Sequence, residues 1–166
     1  MRWFKHLFAG SARRLFTDGT LQRITDAIAV DEARHRGEIF LALESALDWR
    51  ALWHDRKARE RAADVFSQLR VWDTRENNGV LIYLLLADHR IEIVADRGLG
   101  GSISAEQWRG VCQLMEEQLG AGNPEQAVLR GVGAVGDLLA DVFPRTADHD
   151  HHDDLPNRPQ TLDRSY

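Results

Sequence analysis

An apolar run at residues 80–86, Val-Leu-Ile-Tyr-Leu-Leu-Leu, limits the folds open to this chain more than any other segment. A run of this kind suits a strand that is covered on both faces. Asn77, Asn78 and Gly79 precede it, and they are typical turn residues. After a short connection, residues 90–95 alternate apolar and polar side chains. The two segments together predict a β-hairpin with one central and one more exposed strand.

Segments with helical periodicity lie before and after this hairpin in the sequence. Apolar stripes behind capping residues predict helices over residues 17–31, 55–69, 104–119 and 123–143, and residues 39–43 predict one more strand. This order gives one parallel strand–helix–strand unit with a right-handed crossover, plus an antiparallel hairpin strand. The sequence therefore predicts an α/β fold, a three-layer α/β/α sandwich with a small mixed sheet.

A single domain suits the length of 166 residues, with a distinct segment at each end. Residues 1–16 predict a basic amphipathic helix, residues 17–144 the α/β/α domain, and residues 145–166 a flexible tail rich in histidine and aspartate. The helix could lie on a membrane surface or pack on its own domain. Membrane contact would use four of its side chains. They are Trp3, Phe4, Leu7 and Phe8.

Charge and targeting signals exclude some classes of function. The formal net charge of −5 argues against nucleic acid as the main partner. Neither a signal-peptide core nor an apolar run long enough to cross a bilayer is visible. We therefore expect a cytoplasmic protein, with peripheral contact at the inner face of a membrane as the alternative. The one cysteine, Cys112, rules out an intramolecular disulfide, and we interpret it as a small buried hydrophobe.

Two motifs resemble ligand-binding sequences, but each has a simpler structural explanation. Residues 131–136 have the spacing G-x-G-x-x-G, yet they fall inside a predicted helix instead of following a strand. We interpret the glycines as a means of packing this helix closely on the sheet, and we expect no nucleotide. Residues 149–154, His-Asp-His-His-Asp-Asp, could bind a soft divalent metal, although adventitious binding by a tail is the simpler interpretation. No catalytic set is clear, so whether the chain is an enzyme stays open.

The predicted topology brings several oxygen-bearing side chains together at one edge of the sheet. The third strand is antiparallel, so its end meets the beginnings of the other two strands at one edge of the sheet. Oxygen ligands of this kind suit Ca²⁺ or Mg²⁺, and ordinary solvated loop polarity is the alternative. The predicted ligands are Glu38, Asp73 and Asp96, with Glu76, Asn77 and Asn78 as nearby candidates.

Residues 71–83, 88–94 and 96–99 resemble the core of the TPM domain family, which is named for a thylakoid lumen protein, a photosystem II repair protein and a levamisole-receptor modulator. The resemblance implies an α/β/α sandwich, a divalent cation near Glu38, Asp73 and Asp96, and an acid phosphatase activity attributed to a plant member. Residues 154–159 are similar to a Glu-Leu-Pro-Asp ending of a short cytoplasmic branch.

Three functions follow as expectations. The first is an accessory domain that binds a divalent cation, a protein partner or both, in membrane or envelope protein maintenance. The second is a metal-dependent acid phosphatase. The third is a peripheral membrane protein that binds through residues 1–16.

Overall fold

The computed structural model describes residues 12–47, 57–146 and 154–162. The residues predicted to contact a membrane, and residues 149–153 of the predicted metal-binding run, lie outside these ranges. The helices are α1 (Ala12–Leu15), α2 (Asp18–Glu32), α3 (Ala58–Gln68), α4 (Ala105–Gly120) and α5 (Pro124–Val142). The strands are β1 (Glu38–Glu44), β2 (Gly79–Leu85), β3 (Arg90–Ala95) and β4 (Gln160–Leu162), and 3₁₀ turns occupy Leu86–Asp88 and Arg97–Leu99.

The described strands form one mixed sheet in the order β3-β2-β1-β4. β1 runs parallel to both β2 and β4, whereas β2 and β3 form an antiparallel hairpin. Glu38 pairs with Gly79 in the parallel register, and Val80 pairs with Ala95 in the antiparallel one. The predicted mixed sheet is therefore confirmed, with β4 as an additional strand.

Alternation along the strands divides the core between two faces. Ile39 and Ile82 belong to the core layer that contains residues of α2, α4 and α5. Phe40, Leu81 and Tyr83 point the other way, into a layer with α3. Every residue of β1 and β2 is buried, which explains why the second strand is apolar without interruption. Helices on both faces confirm the predicted three-layer sandwich.

The helix starts follow from local capping. The Thr17 side chain accepts a hydrogen bond from the backbone of Thr20 at 3.3 Å, which caps α2. Ser104 and Gln107 form a reciprocal capping box at the start of α4, with bonds of 3.2 and 2.9 Å. Pro124 occupies the first turn of α5. These contacts hold the helices where the sequence predicts them.

The glycine motif lies inside α5, and it serves contact between helices. A Cβ atom at Gly131 would lie 2.2 Å from Met115 Sδ on α4, and one at Gly136 would lie 1.5 Å from Asp31 Oδ2 on α2. Gly133 has no neighbour within 4 Å. Close packing thus accounts for two of the three glycines. The prediction that they pack on the sheet is wrong at these positions, because the nearest neighbours belong to other helices.

Part of the predicted flexible tail lies against the domain. Leu155 is buried in the same apolar layer as Phe40, and residues 160–162 form β4 beside β1. The prediction of a flexible tail is therefore wrong for residues 154–162. The physical reason is that β1 would otherwise present an unpaired edge, which a short strand can cover. We call residues 154–162 the C-terminal strap.

The described end of the N-terminal segment also packs on the domain. Ala12 and Phe16 are buried in the main core cluster, while Leu15 is half exposed. Within the described ranges, no helix is both long enough and apolar enough to cross a membrane.

Candidate cation site at the amino ends of the parallel strands

The beginnings of β1 and β2 and the end of β3 meet at one edge of the sheet. The Glu38 backbone N–H donates to the Asn78 carbonyl at 3.2 Å, and the Asp96 N–H donates to the Gly79 carbonyl at 2.9 Å. The structure thus brings together the loops that the antiparallel hairpin was expected to gather. We call the polar side chains at this edge the amino-edge cluster. Its members are Arg36, Glu38, Glu76, Asn77, Asn78 and Asp96.

Two glycines allow the loops of this edge to approach each other. A Cβ atom at Gly79 would lie 2.1 Å from the Val71 carbonyl oxygen, and one at Gly98 would lie 2.4 Å from the Asn77 carbonyl oxygen. The Gly98 N–H donates to that same Asn77 oxygen at 2.8 Å. Asn77 has a φ of 53°, a left-handed conformation that asparagine tolerates better than most residues. Local backbone geometry therefore explains why asparagine and glycine occupy these loops.

Arg36 joins the cluster to the end of α5, which sequence reasoning missed. Its Nη1 lies 2.6 Å from Glu76 Oε2, and its guanidinium carbon lies 5.2 Å from the centroid of the Phe143 ring. The Arg36 carbonyl accepts a hydrogen bond from Asn78 Nδ2. Nothing in the sequence around this arginine marks it, because its partners are distant along the chain.

Asn78 contributes a buried oxygen. The residue is 3% exposed, and its backbone N–H donates to Thr74 Oγ1 at 3.0 Å. Its Oδ1 atom is buried and has no hydrogen-bond partner among the described residues. A buried acceptor left without a donor costs about 1–3 kcal/mol. Such an atom needs a physical explanation, for which a bound water or ion is one candidate.

Asp96 contributes a second oxygen of the same kind. Its Oδ1 atom accepts a hydrogen bond from the Arg97 backbone at 2.7 Å and caps the 3₁₀ turn. Its Oδ2 atom is buried, and the described part of the chain supplies it with no hydrogen-bond partner. Asn78 and Asp96 flank the same residue, since Asn78 precedes Gly79 and Asp96 bonds to its carbonyl. We call Asn78 Oδ1 and Asp96 Oδ2 the open oxygens.

The other predicted ligands already have partners. Asn77 Oδ1 accepts two hydrogen bonds from Arg97, at 3.1 and 2.9 Å. Glu38 is 6% exposed, and its Oε2 accepts a hydrogen bond from the Leu155 backbone at 3.4 Å. Asp73 is instead half exposed, and it forms an ion pair of 2.6 Å with Arg70.

The predicted set of Glu38, Asp73 and Asp96 is therefore not assembled as a group of three carboxylates. Among residues 12–47, 57–146 and 154–162, the structure contains no group of three or more His, Cys, Asp and Glu side chains that could hold a metal ion. The physical reason is competition, because Arg70 holds one carboxylate at the surface and the C-terminal strap bonds to another. The open oxygens, like the buried Nε of Arg36, have no hydrogen-bond partner among the described residues.

The C-terminal strap closes one side of the cluster. Asp154 accepts a hydrogen bond from the Arg75 backbone at 3.0 Å, and its carboxylate lies 3.5 Å from the Arg75 side chain. Leu155 follows directly and bonds to Glu38. The Asp-Leu-Pro segment is visible in the sequence, but nothing there indicates its position in the fold. The structure places it across the start of β1.

A second buried polar group lies away from this edge, near the carboxyl end of β1. The Tyr83 hydroxyl donates to Glu44, and Arg61 donates to both carboxylate oxygens of Glu44, with its closest bonds at 2.9 and 3.0 Å. Burial and the neighbouring Glu44 charge raise the pKa of Tyr83. Each of these oxygens has a donor, so this group is a closed network that stabilises the core and offers no free ligand.

Comparison with known proteins agrees with the fold described above. The profile of the TPM domain family matches residues 11–138, which include the whole amino-edge cluster. Among solved structures, the NMR structure of the BA42 protein from the psychrophilic bacterium Bizionia argentinensis is similar to this chain with a TM-score of 0.77. The two are 31% identical, and the match covers 89% of this chain and 95% of that one. A comparison with curated proteins gives no match.

Proposed function

Because the chain belongs to the TPM domain family, we propose that it is an accessory domain that binds one divalent cation, Ca²⁺ or Mg²⁺, at the amino-edge cluster. The observation that carries this proposal is the pair of open oxygens, Asn78 Oδ1 and Asp96 Oδ2. One is an amide oxygen and the other belongs to a carboxylate, and these are ligand types that both cations accept.

A cation explains the open oxygens better than an empty interior does. A carboxylate that is buried without full compensation is costly, and a cation compensates its charge. Asn78 supplies an amide oxygen at the same edge of the sheet, next to the residue whose carbonyl Asp96 binds. Neither cation needs a complete protein cage. Mg²⁺ keeps several waters, and Ca²⁺ accepts backbone carbonyls and waters beside one or two carboxylates. Two protein oxygens can therefore be the fixed part of a partly hydrated site.

The test is an amide NMR titration of the full chain with CaCl₂ and, separately, with MgCl₂. We expect shifts centred on residues 77–79 and 96–98, where the backbone carries the open oxygens. Replacing one ligand carboxylate by its neutral isostere should weaken binding at least about tenfold, so Asp96→Asn should lose most of the response. Asp73→Asn is the matched control, because Asp73 undergoes the same chemical change while paired with Arg70 at the surface.

Two outcomes would overturn the cation proposal. Shifts confined to residues 149–154 would move the binding to the tail. Equal weakening by Asp96→Asn and Asp73→Asn would mean that general negative charge attracts the cation, with no defined site. Similar responses to both metals would still support a site, and the ratio of the two dissociation constants would then identify the preferred ion.

A metal-dependent acid phosphatase is the second candidate, favoured by the basic side chains at the same edge. Arg97 bonds to Asn77, and the Arg36 side chain is 28% exposed beside Glu76. A cation near Asp96 would polarise a phosphoryl oxygen, and these guanidinium groups would bind the others. If the parent and Asp96→Asn hydrolyse a generic phosphoester at equal rates in the presence of the cation, this candidate is wrong.

A further inference from the structure

β3 ends the described sheet, and one row of its backbone groups faces away from the other strands. The Asp96 N–H bonds to the Gly79 carbonyl, which fixes the alternation of the antiparallel ladder. By that alternation, the N–H and C=O groups of Ile91, Ile93 and Ala95 point outward. An outward row of this kind is a template for pairing with another strand.

Side chains of the flanking helices occupy the places that a neighbouring strand would take, and one of them is Cys112, which hydrogen-bonds to the backbone of Ile93. Glu116 Oε1, on α4, accepts a hydrogen bond from the Ile91 N–H at 3.1 Å. Arg59, on α3, donates to the Ile93 carbonyl. Glu116 thus supplies the acceptor, and Arg59 the donor, that a neighbouring strand would supply. The Ile91 N–H and the Ile93 carbonyl therefore point where the hydrogen bonds of a strand pair would form.

A groove follows this edge between α3 and α4. Its main part has a volume of about 610 Å³, with β3 on one side and Trp108, Ala105 and Cys112 of α4 on the other. A further depression of about 410 Å³ shares Arg59, Arg90 and Glu92 with it and continues to Lys57 and Asp88. The main part falls within the usual size range of ligand sites. Its extension along a strand suits an extended chain better than a compact ligand.

The groove carries more positive than negative side chains, with Lys57, Arg59, Arg90 and Arg109 against Asp88, Glu92 and Glu116. Two of the arginines already have partners, since Arg59 lies 3.9 Å from Glu92 and Arg90 lies 3.4 Å from Glu116, but the arginines are the more exposed members of these pairs. The side chains of Arg59 and Arg90 are 61% and 55% exposed, and Arg109 is exposed as well. The two glutamates are more buried, with 18% of the Glu92 side chain and 27% of the Glu116 side chain accessible. The rim is thus basic although the whole chain carries a net charge of −5. Electrostatic complementarity favours a partner with acidic side chains.

We propose that this groove binds an extended acidic peptide segment of a partner protein, which adds to β3 as a further strand. A peptide carbonyl takes the place of Glu116 at the Ile91 N–H, and a peptide N–H takes the place of Arg59 at the Ile93 carbonyl. Arg59 and Arg90 then pair with the alternate carboxylates of the peptide. The groove uses none of the residues of the amino-edge cluster, so this proposal does not rest on cation binding.

The test uses the full chain and a capped peptide in which aspartate alternates with valine. We expect saturable shifts of the Ile91 and Ile93 amides, which report hydrogen bonding at the outward row. A matched peptide with lysine in place of aspartate should bind at least about tenfold more weakly, because its charges face the arginines. A third peptide, N-methylated at alternate positions, should not bind, since it lacks the donors that a strand needs.

Two pairs of variants separate this site from general attraction. Glu116→Ala removes both the competing acceptor and a negative charge, so the acidic peptide should bind about threefold to tenfold more tightly. Glu117→Ala makes the same change on an exposed neighbour and should leave the affinity unchanged. Arg90→Ala should weaken binding, whereas Arg130→Ala, at an exposed position on α5, should not.

Three results would overturn the proposal. The first is equal binding of the aspartate and lysine peptides, and the second is undiminished binding of the N-methylated peptide. The third is a dimer in sedimentation equilibrium that pairs β3 with β3 and is not displaced by the acidic peptide. That result would assign the groove to a second copy of this chain.

Discussion

Gly136 lies where α5 contacts the buried carboxylate of Asp31. That carboxylate already has partners on its own side, since Asp31 Oδ2 lies 3.2 Å from His35 Nε2 and Oδ1 accepts hydrogen bonds from Arg34. An added methyl group would overlap Oδ2 at 1.5 Å and push the carboxylate away from both partners. We therefore expect Gly136→Ala to lower the free energy of unfolding by about 1–3 kcal/mol, measured by urea denaturation.

The same helix supplies the control for this prediction. Gly133 has open space around it, so Gly133→Ala should instead raise the free energy of unfolding by up to about 1 kcal/mol through helix propensity. Opposite signs for the two substitutions would establish that close packing explains Gly136. A stabilising effect at both positions would contradict it.

Glu92 offers a prediction about pH. Burial raises the pKa of its carboxyl group, with Glu116 adding to the effect and Arg59 and Arg90 opposing it. Glu92 lines the groove beside β3 together with Cys112. Since the folded-state pKa lies above the unfolded one, ionisation of Glu92 destabilises the fold. The penalty is absent below the unfolded pKa of roughly 4.3 and complete above the folded pKa.

Glu92→Gln should therefore raise the melting temperature at neutral pH and leave it unchanged at acidic pH, where both forms are uncharged. Thermal unfolding followed by circular dichroism at a series of pH values measures this difference. Glu106→Gln, at an exposed position on α4, is the control and should show no such trend. A gain for Glu92→Gln that persists at low pH would show that the carboxylate charge is not its cause.

The C-terminal strap is an element whose contribution can be separated into side chain and backbone. Leu155 is 7% exposed and packs in the α3 layer, so Leu155→Ala should destabilise the protein by roughly 2 kcal/mol. Arg158→Ala, with a side chain that is 59% exposed, should change stability by less than about 0.5 kcal/mol. Chemical denaturation of both variants measures the difference.

Truncation before Gln160, which keeps Leu155 and removes β4, tests the backbone part of the strap. Without β4, residues 42–44 of β1 lose their pairing partners on that side. Their amides should then exchange with deuterium faster, while the amides of β3 keep their rate. Unchanged exchange at residues 42–44 would mean that β4 does not protect the edge of β1.

Local patterns were enough for three strands and the long helices, and they fail for β4. The apolar run of β2 and the alternation of β3 are visible without any knowledge of their neighbours. Residues 160–162, Gln-Thr-Leu, are few and lie in a polar, proline-containing segment. They form a strand because the edge of β1 is open to them. Pairing between residues so far apart in sequence depends on the assembled fold.

At the amino-edge cluster, too, the sequence predicts the directions of the strands but not the contacts of the side chains. That the loops meet follows from the antiparallel direction of β3. Which oxygens keep no partner depends on rotamers and distant donors. Arg70 forms an ion pair with Asp73, Arg36 forms one with Glu76, and the Leu155 N–H donates a hydrogen bond to Glu38. No spacing in the sequence indicates which donor each oxygen binds. The sequence therefore predicts six candidate ligands, whereas the structure leaves two oxygens of the cluster without a partner among the described residues.

The proposed cation binding would connect this small cluster to the stability of the whole fold. The amino-edge cluster joins the beginnings of β1 and β2 to the end of β3, and these loops come together only in the folded chain. A ligand that binds only the native state stabilises it, by about 2.7 kcal/mol when its concentration is a hundredfold above the dissociation constant. For a chain of this size the melting temperature should rise by roughly 5–10 °C.

Asp96→Asn should reverse the order of stability between two conditions, and this is the sharpest whole-molecule test of the site. In chelator, the parent keeps a buried carboxylate oxygen without a partner among the described residues, so the neutral variant should melt at or above the parent. In saturating Ca²⁺ or Mg²⁺, the parent gains the binding energy and the variant does not, so the parent should melt higher. Asp73→Asn, paired at the surface, should follow the parent in both conditions. A variant that stays below the parent by the same interval in chelator and in metal would show that Asp96 stabilises the loop by capping alone and binds no cation.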